Sequence, residues 1–200
     1  MLRPDISIVV DGEERHFANV NGDPVYPAVC RQMIYLPIRS IGALCGFTAA
    51  WVPAKEISLE AIYLHSPLTE TEGNAIRRFV NEGVPISESI TALADQLLHG
   101  ENSSDTYGLA RFNDLLDCLD RLKALAKPSA LCAKPWISKL NLWIRETESA
   151  VNFHIYQIES GTESFAEIQS GILFPSDLLS GSKNIQSVFS ILKDVTPDLW

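Results

Sequence analysis

The sequence predicts an α+β fold: a small antiparallel five-stranded β meander wrapped on one helix, followed by an α-helical bundle. Two observations carry this. Before residue 65, short apolar pieces alternate with polar neighbours and are cut every few residues by turn signals. After it, apolar residues recur at helical spacing over long stretches. No internal repeat, low-complexity tract or long linker interrupts the chain, so two domains are expected, 1–64 and 65–200.

The front part opens with Ile6-Ser7-Ile8-Val9-Val10 as a strand. Asp11-Gly12 is a tight hairpin turn leading into Arg15-His16-Phe17-Ala18. Asn21-Gly22-Asp23-Pro24 marks a second turn. Residues 25–29 and 33–36 read as short extended pieces, and Pro27 confines the first to a sheet edge or an irregular segment. A helix follows, with Pro37 suited to its first turn and Ile38, Ile41, Leu44 and Cys45 on one face. Gly46 stops it. Gly42 inside that helix is costly unless the backbone packs closely on the sheet. Residues 47–52 and 56–63 supply the last strands, the second with Ile57, Leu59 and Ala61 alternating against polar neighbours.

In the second part, Ser66-Pro67 opens a helix to about Asn81 that Gly83 stops, and Ser87 opens another that ends at Gly100. Leu109, Phe112, Leu115, Leu116, Leu119 and Leu122 trace an amphipathic helix halted at Pro128. Trp136, Leu140, Trp143, Ile144, Val151 and Ile158 trace the longest helix, ended by Gly161. Residues 162–181 look irregular, with one short helix around 165–169, and a final helix covers 184–193. Four or five helices form a bundle.

Composition narrows the function classes. The chain has 200 residues and a net charge of −9, from 25 acidic and 16 basic residues, and Arg77-Arg78 is the only adjacent basic pair. A nucleic-acid partner needs a basic face to displace counterions, so none is expected. No apolar run reaches the roughly 20 residues that span a bilayer, so no membrane span is expected. Residues 6–10 are too short for a signal peptide. The chain is read as cytoplasmic or as a mature segment whose targeting region has been removed. Cys30, Cys45, Cys118 and Cys132 are widely spaced without a CxxC pair, and are read as small buried apolar residues.

Residues 6–62 resemble the copper amine oxidase N-terminal-like domain, the stalk module of many bacterial envelope proteins. The likeness rests on Val10-Asp11-Gly12 in the first hairpin and on Tyr35-Leu36-Pro37-Ile38-Arg39-Ser40-Ile41 opening the helix. Gly46, Trp51 and Lys55 complete it in order and spacing. The family's Asn-Gly-Arg segment before the Pro-Leu-Arg element is replaced by Cys30-Arg31-Gln32-Met33. The resemblance implies five antiparallel strands around one helix and an extracytoplasmic location. It implies no copper and no catalytic residue, because the oxidases hold metal and redox cofactor in a different domain.

Candidate chemistry is sparse. His16, His65, His99 and His154 are far apart, with no HExxH or His-x-His spacing, so no metal or other cofactor is expected. Asp114, Asp117 and Asp120 fall opposite the leucine stripe and read as a solvated face paired with Arg111 and Arg121. Ser190-Ile191-Leu192-Lys193 matches a Ser-x-x-Lys pattern without its partner motifs. Arg39, in a first helical turn where the dipole disfavours a cation, is expected to find a clamp such as Asp23 or Trp51. Tyr26, Tyr35, Trp51 and Tyr63 are candidates for an aromatic platform. Trp136 and Trp143 share a helical face that either closes the bundle or meets a partner.

The reading is a non-catalytic binding or scaffolding protein associated with the bacterial cell envelope. Its candidate binding surface is Arg39, Trp51, Tyr35 and Tyr26, and its partner a cell-wall polymer or a protein. The alternatives are an enzyme with its site in the groove between module and bundle, and a homo-oligomer built through the helices.

Overall fold

The computed structural model describes residues 2, 4–5, 8–10, 13–19, 21–31, 33–55, 58–171 and 173–200. The fold is mixed α+β. The chain divides into two compact units: Met1–Trp51 with Ile62–Pro67, and Val52–Ala61 with Leu68–Trp200.

Unit 1 holds most of the strands: β1 (Ile8–Val10), β2 (Glu13–Arg15), β3 (Phe17–Ala18), β4 (Pro24–Val25), β5 (Ala28–Cys30), β6 (Met33–Tyr35), β7 (Thr48–Val52) and β8 (Ala61–His65). Among the described residues they pair only two by two, β1 with β2, β3 with β4, β5 with β6 and β7 with β8. The expected five-stranded meander is therefore replaced by separate ladders. Pro24 and Pro27 have no N–H to donate, and His16 separates β2 from β3, so no ladder there exceeds three residues. The turn at Asp11-Gly12 and the alternating Ile57 lie outside the described residues, and the last strand starts at Ala61. The turn after β3 is an Asx turn: Asn19 Oδ1 accepts the N–H groups of Asn21 and Asp23 at 2.9 and 3.0 Å.

Helix α1 (Ile38–Leu44) closes as expected. Gly46 takes φ 73°, and the Phe47 N–H reaches back to the Gly42 carbonyl at 2.7 Å, a Schellman end. A Cβ on Gly42 would stand 3.7 Å from both Ala49 Cβ and Leu64, so this glycine does sit close against β7 and β8.

Unit 2 is built from α2 (Glu70–His99), α3 (Asp105–Ala124), α4 (Lys134–Glu159), α5 (Phe165–Ser170) and α6 (Leu173–Val195), ending in a 3-10 turn Pro197–Leu199. Helix α2 starts at a capping box: the Thr69 hydroxyl accepts the Glu72 N–H while the Glu72 carboxylate accepts the Thr69 N–H. It then runs unbroken through Gly83 and Pro85, where the sequence predicts two helices. An interior proline costs about 3 kcal/mol. The Ser87 and Ser89 hydroxyls donate to the Val84 and Pro85 carbonyls at 2.7 and 3.0 Å. The helix buries Ile76, Phe79, Val80, Ile86, Ile90 and Leu93, each contributing roughly 1.5–3 kcal/mol, so burial outweighs the proline.

Helix α6 is also longer than predicted. Pro175 falls in its first turn, where a missing N–H costs nothing, and Gly181 lies directly against the Trp143 indole. Within unit 2, α2 packs on α6 and α3, α3 on α4, and α4 on α6, closing a four-helix ring. Phe79, Phe112, Phe165 and Phe189 are fully buried in it. The Phe79 and Phe189 rings lie 5.4 Å apart, and Phe165 meets Phe112 edge-on at 5.8 Å. All four cysteines are free. Cys118 is buried and Cys132 partly so, but Cys30 and Cys45 are exposed, contrary to the reading of all four as buried.

Candidate functional site

Unit 1 does not cover its own apolar surface. One face of the β7–β8 pair carries Ala49, Trp51, Ile62 and Leu64 by strand alternation. Helix α1 approaches Ala49 and Leu64 through Gly42, yet seven residues span only about 10 Å. Trp51 stays 53% exposed and Ile62 53%. On β6 neither face is covered, since Met33, Ile34 and Tyr35 are all at least half exposed, while Ala28 and Val29 of β5 are partly buried. Among the described residues, eleven large apolar side chains of unit 1 are exposed, against six in the much larger unit 2.

Charge follows the same division. Unit 1 carries four Lys or Arg and five Asp or Glu, and unit 2 carries 12 and 20. The acidity of the chain thus belongs to the helices, and the uncovered apolar surface belongs to a nearly neutral unit.

The four sequence-predicted residues are all exposed but stand on different elements. Tyr26 follows β4, Tyr35 ends β6, Arg39 lies in the first turn of α1, and Trp51 is in β7. Tyr63, the fifth candidate, is half-buried on β8. Of the partners expected for Arg39, Asp23 accepts the side-chain amide of Asn19 at 3.0 Å. Sequence reasoning missed Met33, Ile34, Leu36 and Ile38 as surface residues. The available signal was the uninterrupted apolar run Met33-Ile34-Tyr35-Leu36, which has no polar alternate to mark a solvent side.

Unit 2 offers less chemistry. Arg111 holds Asp114 at 2.8 Å within α3, the solvated ion pair expected there. No group of three or more His, Cys, Asp or Glu among the described residues is placed to hold a metal ion. Lys193 of the Ser-x-x-Lys match lies over the Trp200 ring. Ser190 is instead met by Lys55, whose ammonium donates to the Ser190 hydroxyl at 2.5 Å and forms an ion pair with Asp194 at 2.6 Å. As the donor to it, Lys55 is no base for the serine. Trp136 is buried, and Trp143 divides two shallow recesses along the α4–α6 seam.

The displaced pKa values have structural causes. Thr69 and Ser164, through backbone N–H and hydroxyl, hold the Glu72 and Glu167 carboxyls below the usual range. Burial pushes the Cys118 and Cys132 thiols up. Burial also pulls the His154 imidazole down, against the opposing pull of Gln157 and Glu163, and its ring stacks on Phe112. None of these groups lines a recess along the α4–α6 seam or beside Lys55.

The sign of the resulting pH dependence is fixed. The unfolded His154 takes up its proton near pH 6.5 while the folded one resists, so stability is full above that pH and falls as pH drops below it. The two capping carboxylates add a loss in the same direction at lower pH. The unfolding temperature is expected to fall between about pH 7 and 5, and His154→Gln to flatten that fall. An unchanged slope in the variant removes His154 from the account.

No protein-family model, curated protein or solved structure matches the chain.

Proposed function

We propose that the chain is a non-catalytic binding or scaffolding protein, with unit 1 as its binding part. The carrying observation is the uncovered apolar surface of a near-neutral unit. The half-exposed side chains of unit 1 amount to on the order of 1,000 Å² in all. A specific interface takes about 800 Å² from each partner. Catalysis has no comparable support. The groups with displaced pKa values are helix caps, core side chains and lysines, and the hydroxyls that Glu72 and Glu167 meet belong to the caps of their own helices.

The likeness to the stalk module makes the bacterial cell envelope the first place to look for the ligand. The purified chain is expected to co-sediment saturably with envelope fragments that retain their proteins. Trp51→Ala is expected to weaken this by about tenfold while leaving the unfolding temperature within a degree or two, because Trp51 is half exposed. A well-folded wild type that stays in the supernatant refutes the envelope reading. Undiminished binding by the variant moves the site off β7.

A further inference from the structure

β6 is exposed along its whole length, and the β5–β6 ladder is asymmetric. β5 has Leu2 bridged to Ala28 on one side and β6 on the other. β6 has no partner on its outer edge among the described residues. Cys30 and Met33 close a two-residue connection, and Arg31 there has φ 47°, the left-handed conformation that primed hairpin turns require. In such a hairpin the closing pair is hydrogen-bonded, so the next pair, Val29 with Ile34, is not. The Ile34 N–H and C=O therefore point outward. The edge carries no charged residue, proline or bulge of the kind that normally blocks strand addition.

The surrounding charge selects the occupant. From residue 24 to residue 55 the sequence contains no Asp or Glu, but it has Arg31 and Arg39 on either side of β6, both exposed. A second copy of the chain is disfavoured. Antiparallel pairing centred on Ile34 would set Arg31 opposite position 37 of the other copy, two residues from its Arg39. Parallel pairing in register would set each arginine against itself. Acidic side chains at the ends of an incoming strand meet the opposite condition.

Resting on the reading of unit 1 as the binding part, we propose that the outer edge of β6 takes a further β-strand from another protein, an extended apolar segment with Asp or Glu at its ends. Backbone hydrogen bonds to Ile34 would set its alignment, alternate apolar side chains would cover Ile34, and its carboxylates would meet Arg31 and Arg39.

The test is fluorescence anisotropy on the full chain with labelled synthetic peptides. Glu-Val-Thr-Val-Thr-Val-Glu is expected to bind saturably, and about tenfold more tightly than its Lys-ended counterpart at low salt. The difference should shrink toward about 0.5 M salt. Arg31→Glu combined with Arg39→Glu should reverse the preference. Because a substitution at Ile34 risks unfolding the hairpin, the backbone contact is tested on the peptide instead: N-methylation of the central Val should abolish binding to the wild-type chain. Absence of saturable binding, equal binding of both end charges, or equal binding of the N-methylated peptide overturns the proposal. If envelope co-sedimentation sensitive to Trp51→Ala persists while the peptides fail, strand addition falls and the binding role stands. If the peptides bind and sedimentation fails, the envelope location falls alone.

Discussion

Phe165→Ala is expected to destabilise the protein by about 4 kcal/mol, within the range of large-to-small core substitutions. For a chain of this length the unfolding temperature should drop by roughly 8–16 °C. Phe165 is fully buried although α5 has only six residues. Its ring packs edge-on against Phe112 and 6.1 Å from Tyr107, over Gly108, where a Cβ would overlap it. The short helix is fastened at both ends. The Phe165 N–H donates to the Asp105 carboxylate at 2.7 Å, and the Gln169 amide donates to the Gly100 carbonyl at 2.8 Å. Removing the ring leaves a cavity that these bonds hold open, so little relaxation can offset the loss. Urea unfolding followed by helical circular dichroism measures it. A loss under about 1 kcal/mol would mean that α5 is not docked as described.

Gly83→Ala is expected to destabilise by about 2 kcal/mol, against the sign of helix propensity. In an exposed helix interior this change gains close to 1 kcal/mol. Here the new methyl overlaps the buried Phe189 ring, which already packs on Phe79, and overpacking of that kind costs about 1–3 kcal/mol or more. Adding Phe189→Leu should return part of the loss, because the two sites share one contact and their effects are not additive. A neutral or stabilised Gly83→Ala would show that α6 gives way easily beside α2.

These two sites also show where sequence reasoning works. Helices α3, α4 and α5 were legible because their signals are local: apolar residues at helical spacing, serine caps at 104 and 164, and Gly161 after the last periodic residue. The continuity of α2 was not. Gly83 and Pro85 are locally the marks of a helix end, and what overrides them is Phe189, far along the chain on α6. The same holds for Gly181, whose position beside Trp143 no neighbouring residue announces.

In the front part the alternation read over 56–63 sets Ile57, Leu59 and Ala61 on one face, whereas the exposed apolar residues of β8 are Ile62 and Leu64 on the other. It did not show whether anything covers that face. Trp51, Tyr35, Tyr26 and Arg39 could therefore be singled out by type and position. Met33 and Ile34 read only as part of a short extended piece, and a two-stranded ladder leaves both of them exposed.

The placement of Val52–Ala61 in unit 2 bears on the order in which the protein is made. Lys55 is anchored on α6 by a serine 135 residues further on and by Asp194 beyond it. At ordinary translation speeds that separation is a wait of roughly 10–30 s on the ribosome. Throughout that interval Lys55 has no α6 to join. The bare run Met33-Ile34-Tyr35-Leu36 has already emerged, since it is encoded upstream. A nascent-chain chaperone that grips short apolar strands would thus meet this protein at its front end.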